Sequence, residues 1–122
     1  MSSVKISTRQ VDGVTILDMS GRITLGEGSV VLRDVVKDLL SKGQKKILLN
    51  LAEVNYIDSS GLGQLVGTFT SARKQQGELK LLKLTNKVQD LMQITKLYTV
   101  FDISDDEALA VKSFGKSSAA GA

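Results

Sequence analysis

The sequence predicts an α/β domain: a mixed β-sheet that opens with an antiparallel hairpin and continues as alternating strands and about four helices packed mainly against the sheet. Two strand-like stretches at the start, residues 4–9 and 14–19, flank Val11-Asp12-Gly13. Beyond them, helical and strand-like periodicities alternate almost to the end of the chain, giving the expected order β-β-α-β-α-β-α-β-α. No internal repeat or low-complexity block interrupts this order.

Val4-Lys5-Ile6-Ser7-Thr8-Arg9 alternates apolar and polar side chains, and Val14-Thr15-Ile16-Leu17-Asp18-Met19 is rich in β-branched residues. Asp12-Gly13 suits the positive φ angles of a tight turn, so the two stretches pair as a hairpin. Within Ser20-Gly21-Arg22-Ile23-Thr24, Gly21-Arg22-Ile23 then reads as a turn. The pairs Val31/Leu32, Val35/Val36 and Leu39/Leu40 recur every four residues with Arg33, Asp34, Lys37 and Asp38 between them, which makes an amphipathic helix closed by Gly43 in the left-handed cap position. Lys46-Ile47-Leu48-Leu49-Asn50-Leu51 is nearly continuous in apolar residues, as expected of a central strand covered on both faces.

The next helix is expected to begin at Ser59 or Ser60 and to run to about residue 76, with Leu62, Leu65, Val66, Phe69 and Ala72 on one face and Gly77 closing it. Leu79-Lys80-Leu81-Leu82-Lys83-Leu84 returns to strand. Asn86 reads as the cap of a short helix, with Gln89 three positions later and Val88, Leu91 and Met92 as its apolar face. Thr99-Val100-Phe101 is expected to form the last strand. Ser104-Asp105-Asp106-Glu107 reads as a capping box, in which the serine and the glutamate each satisfy a backbone N–H of the first turn of a helix carrying Ala108, Leu109 and Val111. Residues 115–122 are small and polar with nothing to bury and are expected to be a disordered tail, leaving residues 1–114 as one domain.

Composition narrows the function. A chain of 122 residues with 42% hydrophobic and 24% charged residues is an ordinary globular domain, and its longest apolar runs are too short to span a membrane. The first residues lack an apolar stretch of signal-peptide type, so a cytoplasmic protein with no membrane partner is expected. With no Cys and no His, thiol chemistry, zinc sites of the usual kind and the commonest general base are excluded, and no metal or cofactor is expected. The net charge of +3 comes from scattered positions such as Lys45-Lys46, Arg73-Lys74, Lys112 and Lys116. That scatter, with five aromatics in all, argues against a nucleic-acid partner.

The candidate functional stretch is Asn55-Tyr56-Ile57-Asp58-Ser59-Ser60-Gly61-Leu62-Gly63. Helix physics alone accounts for part of it, since Asp and Ser oxygens at a helix start accept hydrogen bonds from the free N–H groups, an effect of about 1 kcal/mol. Yet Asp58, Ser59 and Ser60 are more small polar groups than one cap requires. Gly61, Gly63 and Gly67 are poor helix residues, each costing up to about 1 kcal/mol relative to alanine. Either the helix packs closely on its neighbours there, or a smooth surface lets another protein approach. A hydroxyl at a helix N-terminus is also well placed to carry a phosphate, because the free N–H groups and the helix dipole favour an anion.

Tyr56-Ile57-Asp58-Ser59-Ser60-Gly61-Leu62-Gly63, preceded by Gly21-Arg22-Ile23 and the helix after it, resembles the STAS domain of bacterial anti-sigma factor antagonists. The similarity runs over residues 4–114. In that family the first serine after the aspartate is phosphorylated by an anti-sigma factor that is also a serine kinase, so the resemblance implies Ser59 as the phosphoacceptor, with Asp58 beside it and Ser60 next in line. The implied partner-binding set is Asp58, Ser59, Ser60, Gly61, Gly63, Gly67, Arg22 and Thr24. Many family members carry an acidic residue at the position of Thr24, and Arg22 and Thr24 make this neighbourhood less acidic than the family pattern.

The resemblance implies a partner switch. The unphosphorylated chain binds the anti-sigma kinase and frees a sigma factor, phosphate on Ser59 releases the complex, and a serine phosphatase resets it. A different class of function shares the fold: a STAS scaffold held as a fixed subunit of a stress-signalling or lipid-transport assembly, without a phospho-switch. Catalysis by an Asp58-Ser59 pair is disfavoured, because a carboxylate is a weak base toward a serine hydroxyl and no histidine can mediate. Gly61-Leu62-Gly63-Gln64-Leu65-Val66-Gly67 has neither the dinucleotide spacing nor the lysine of a phosphate loop.

Overall fold

Asp12 and Gly13 adopt φ of +50° and +82°, the paired left-handed geometry that lets a two-residue turn follow the twist of its strands. They join β1 (Val4–Val11) to β2 (Val14–Ile23), which pair antiparallel from Val11↔Val14 to Val4↔Gly21. The computed structural model describes residues 4–24 and 27–114, with the backbone alone for residues 27–29, and the remaining elements are α1 (Glu27–Ser41), β3 (Lys46–Ile57), α2 (Ser59–Lys74), β4 (Glu78–Leu82), α3 (Asn86–Ile94), a 3-10 turn (Leu97–Thr99), β5 (Ile103–Ser104) and α4 (Glu107–Ser113). The expected tail over residues 115–122 lies outside the described residues.

The strands form one sheet in the order β1-β2-β3-β4-β5, antiparallel at the hairpin and parallel thereafter. Because side chains alternate across a strand, Leu17, Met19, Ile47, Leu49, Leu51, Leu79 and Leu81 point to one face and Ile16, Leu48 and Leu82 to the other. The first face is covered by Leu32, Val36 and Leu40 of α1, Leu62, Leu65 and Ala72 of α2, and Val88 and Met92 of α3. The second is covered by Ala110, Val111 and Phe114, from α4 and its C-terminal cap. Ile47, Leu48 and Leu49 are fully buried, as a strand sandwiched between layers requires, and each such side chain contributes roughly 1.5–3 kcal/mol by leaving water.

Several local expectations are corrected. The stretch read as a turn at Gly21-Arg22-Ile23 is the end of β2: Gly21 sits at φ +102° beside register shifts against β3, and the strand resumes with Arg22↔Tyr56 and Ile23↔Ile57. A glycine permits that bulge without ending the pairing. Helix α2 begins at Ser59, one of the two starts expected, and is closed by Gln75, with Gln76, not Gly77, at positive φ (+63°). Gly77 is instead a packing glycine, since a Cβ there would lie 3.0 Å from Leu40 and 3.1 Å from the Lys45 carbonyl.

The cap of α3 is Thr85 rather than Asn86, and the Thr85 hydroxyl donates not to its own helix but to the Val54 carbonyl, 2.8 Å away. Asp106 caps α4 by accepting from the Leu109 N–H (3.1 Å), so the box expected between Ser104 and Glu107 does not form. Glu107 turns to Arg9 instead, and Ser104 is taken up in β5. The last strand is Ile103–Ser104, while part of the stretch expected to be strand, Thr99, ends the 3-10 turn. Position along the β4 edge, with Leu81 N donating to the Asp102 carbonyl at 2.9 Å, decides which residues become strand.

Candidate functional site

Strand β3 outruns β4, pairing with it only as far as Asn50 and then continuing beside β2 to Ile57. This ribbon delivers Asp58 and α2 to one end of the sheet. Asp58 is extended (φ −90°, ψ 177°) and is the N-cap: its carboxylate accepts from the Gly61 N–H at 2.6 Å, and its carbonyl accepts the Leu62 N–H at 2.9 Å. Its own N–H donates to the Ile23 carbonyl at 3.3 Å, which ties the loop to β2.

With Asp58 as the cap, the two serines are released from that duty. Ser59 is the first helical residue, both Ser59 and Ser60 are exposed, and neither hydroxyl has a hydrogen-bond partner among the described residues. Of the alternatives open in the sequence, capping therefore belongs to the aspartate. The hydroxyls stand free at the positive end of a 16-residue helix, where a phosphate would meet favourable backbone N–H groups.

The three glycines of α2 separate into two kinds. At Gly61 a Cβ would collide with the Ile23 carbonyl, coming within 2.8 Å of its carbon, so close packing of helix on strand demands glycine there. At Gly63 and Gly67 an added Cβ meets nothing within 4 Å among the described residues, and both glycines are exposed. Packing within the domain does not explain them.

Arg22 and Tyr56 face each other across the β2–β3 pairing, and the guanidinium lies over the tyrosine ring, 4.8 Å from its centre. Both are exposed. Thr24, half-buried, follows Ile23 directly, and Ile23 pairs with Ile57, the residue before Asp58. The structure thus brings Arg22, Thr24, Asp58, Ser59, Ser60 and Gly61 to one end of the sheet, with Gly63 and Gly67 trailing along α2. Sequence reasoning did not single out Tyr56. Its signal was strand alternation, since Ile57 is buried and its neighbour must then face outward. Among the described residues no helix is long and apolar enough to cross a membrane, and no three acidic side chains are grouped to hold a metal.

Fold and loop together define an α/β domain of the STAS type, a parallel-cored sheet with a serine loop held at a helix start between its central strand and second helix. The STAS domain family model matches residues 5–110. The chain belongs to the STAS-domain family of anti-sigma factor antagonists. It is 33% identical over 102 residues to the anti-sigma-B factor antagonist of Bacillus subtilis, covering 84% of this chain and 92% of that one. A crystal structure from Thermotoga maritima, described as a candidate anti-sigma factor antagonist, superposes with a TM-score of 0.78 at 28% identity, covering 88% of this chain and 92% of the other. The phosphorylated form of the Bacillus cell fate determinant SpoIIAA shares the fold at 17% identity, with a TM-score of 0.68 over 88% of this chain and 97% of that one.

Proposed function

We propose that this chain is an anti-sigma factor antagonist that works as a partner switch, with Ser59 as the phosphoacceptor. Unphosphorylated, the Asp58-Ser59 loop and the exposed side of α2 bind an anti-sigma factor with serine kinase activity, and the sigma factor held by that kinase is freed. Phosphate on Ser59 adds about −1.5 to −2 charges and dissolves the complex, and a serine phosphatase restores the binding form. The chain acts by binding and performs no chemistry itself.

The observation that carries this reading is the division of labour at the helix start. Asp58 alone satisfies the cap, so the Ser59 hydroxyl is exposed and unengaged among the described residues, at a site where an anion is locally tolerated. The bare surface at Gly63 and Gly67 supports the same reading, because it leaves room for another backbone to come close. Relatives such as the Bacillus subtilis anti-sigma-B factor antagonist support the antagonist role within this reading.

The test is incubation with the anti-sigma kinases of the source genome and ATP, followed by mass-spectrometric location of the phosphate. Ser59 should be labelled, Ser59→Ala should bind the kinase and refuse phosphate, and phosphorylated chain should bind at least about tenfold more weakly than wild type. Label on Ser60 with Ser59 clean, or unchanged affinity after phosphorylation, overturns the proposal.

A further inference from the structure

The charges around Ser59 are unequal in a way the partner switch does not by itself require. Helix α2 contains no acidic residue, and it ends in Arg73 and Lys74, both exposed. The Asp58 carboxylate at its start is committed to the Gly61 N–H. A groove of about 460 Å³ runs between α1 and α2 beside Gly67 and is lined by Arg33, Asp34, Lys37 and Gln64 among others. Arg33 is offset by Asp34 at 3.8 Å, whereas Lys37 has no ion-pair partner among the described residues. Arg22, nearest the serine loop in the sheet register, likewise has no carboxylate partner among the described residues and rests on Tyr56.

We infer that the partner surface docking at this end of the sheet is acidic where it meets Arg22, and that Arg22, held over Tyr56 on the strand end beside the Ser59 loop, is the principal residue that selects it. This rests on the partner-switch reading and deepens it. A guanidinium lying flat on an exposed ring keeps its edge N–H groups available, and stacking limits the rotamer freedom that a partner carboxylate would otherwise have to restrict. Lys37, exposed on α1 beside the groove, adds positive charge on the helix side and raises the encounter rate with a negative surface. The smooth strip at Gly63 and Gly67 lets that surface approach without a side chain between. Phosphate on Ser59 then repels the acidic partner.

The experiment takes the kinase that labels Ser59 and measures its affinity for the unphosphorylated chain by calorimetry. Arg22→Glu should weaken binding by at least about tenfold, and Arg22→Lys, which keeps the charge and loses the planar fork, by a smaller factor. Wild-type affinity should fall as salt rises from about 50 to about 200 mM, with a shallower slope for Arg22→Glu. Arg22 is exposed, so the variants keep the fold, and their urea midpoints should match wild type. If Arg22→Glu binds as wild type does while Ser59 phosphorylation still breaks the complex, the acidic-partner inference is wrong and the switch stands. If no kinase labels Ser59, the switch fails and the inference falls with it.

Discussion

Gly61 and its neighbours Gly63 and Gly67 belong to the same helix and the same residue type, yet the structure assigns them opposite mutational signs. Gly61→Ala forces a Cβ against the Ile23 carbonyl and should destabilise by about 1–3 kcal/mol despite alanine's better helix propensity. Gly63→Ala and Gly67→Ala meet open space and should each stabilise by up to about 1 kcal/mol. Urea unfolding of the three variants checks both signs, and a stabilised Gly63→Ala that binds the kinase less well would show what the bare surface is for. Asp58→Ala removes the one side-chain cap of α2 and should cost about 1 kcal/mol. At this scale the sequence was legible where chemistry is local, as at Asp12-Gly13. It was ambiguous where several residues compete for one donor, and backbone geometry was needed to give the cap to Asp58 and leave the serines free. The Arg22–Tyr56 contact was hidden for another reason: it depends on the register of β2 against β3, which residues 34 positions apart do not announce.

Among the elements, α4 is the only described helix on its face of the sheet, and polar contacts hold it at both ends. At its start Arg9 pairs with Glu107 (2.5 Å) and, within the hairpin, with Asp18 (2.6 Å), while Asn50 donates to the same Asp18 carboxylate at 2.8 Å. At its end the buried Lys80 ammonium donates to the Ser113 carbonyl (3.1 Å) and hydroxyl (2.9 Å). Hydrogen bonds from the Arg9 guanidinium hold the Glu107 and Asp18 carboxyls below their ordinary range, and the carboxylates in turn raise Arg9. A depressed carboxylate contributes stability above its unfolded pKa, about 4, and loses it as the pH falls toward the folded value. Arg9→Gln should therefore destabilise at pH 7 by only about 1 kcal/mol, because the pair is partly solvated, and the difference from wild type should shrink below about pH 4. Urea midpoints at neutral and acid pH read this directly. Glu107 also explains why a capping box visible in the sequence does not form: a guanidinium 98 positions away offers it better partners than a single N–H. The last strand was misplaced for a related reason, since the β4 edge selects Ile103–Ser104 rather than the more strand-like Thr99-Val100-Phe101.

For the molecule as a whole, the serine loop is bolted to the sheet rather than hung from it. The Asp58 N–H on Ile23, the Asp58 cap and the Gly61 contact with Ile23 leave no room for the loop to reorganise cheaply. Phosphorylation should accordingly change charge and bulk at the surface and leave the core alone, with chemical-shift changes confined to the neighbourhood of residues 22–24 and 56–64 and a Tm within about 3 °C of the unmodified chain. Broad shifts through β3 and β4 would instead mean a refolding switch. The alternating order of strands and helices was readable because each amphipathic period is a local pattern, although the last strand falls at Ile103–Ser104 rather than at the residues expected. The division of the helices between the faces was not, because it depends on which side chains of β2, β3 and β4 each helix finally meets. That division has a practical use. Phe114 packs on the side of the sheet away from α1 and α2, so a chain tethered to a sensor chip or fused to a reporter just beyond that residue would hold Ser59 and the exposed side of α2 outward, free for capture from solution.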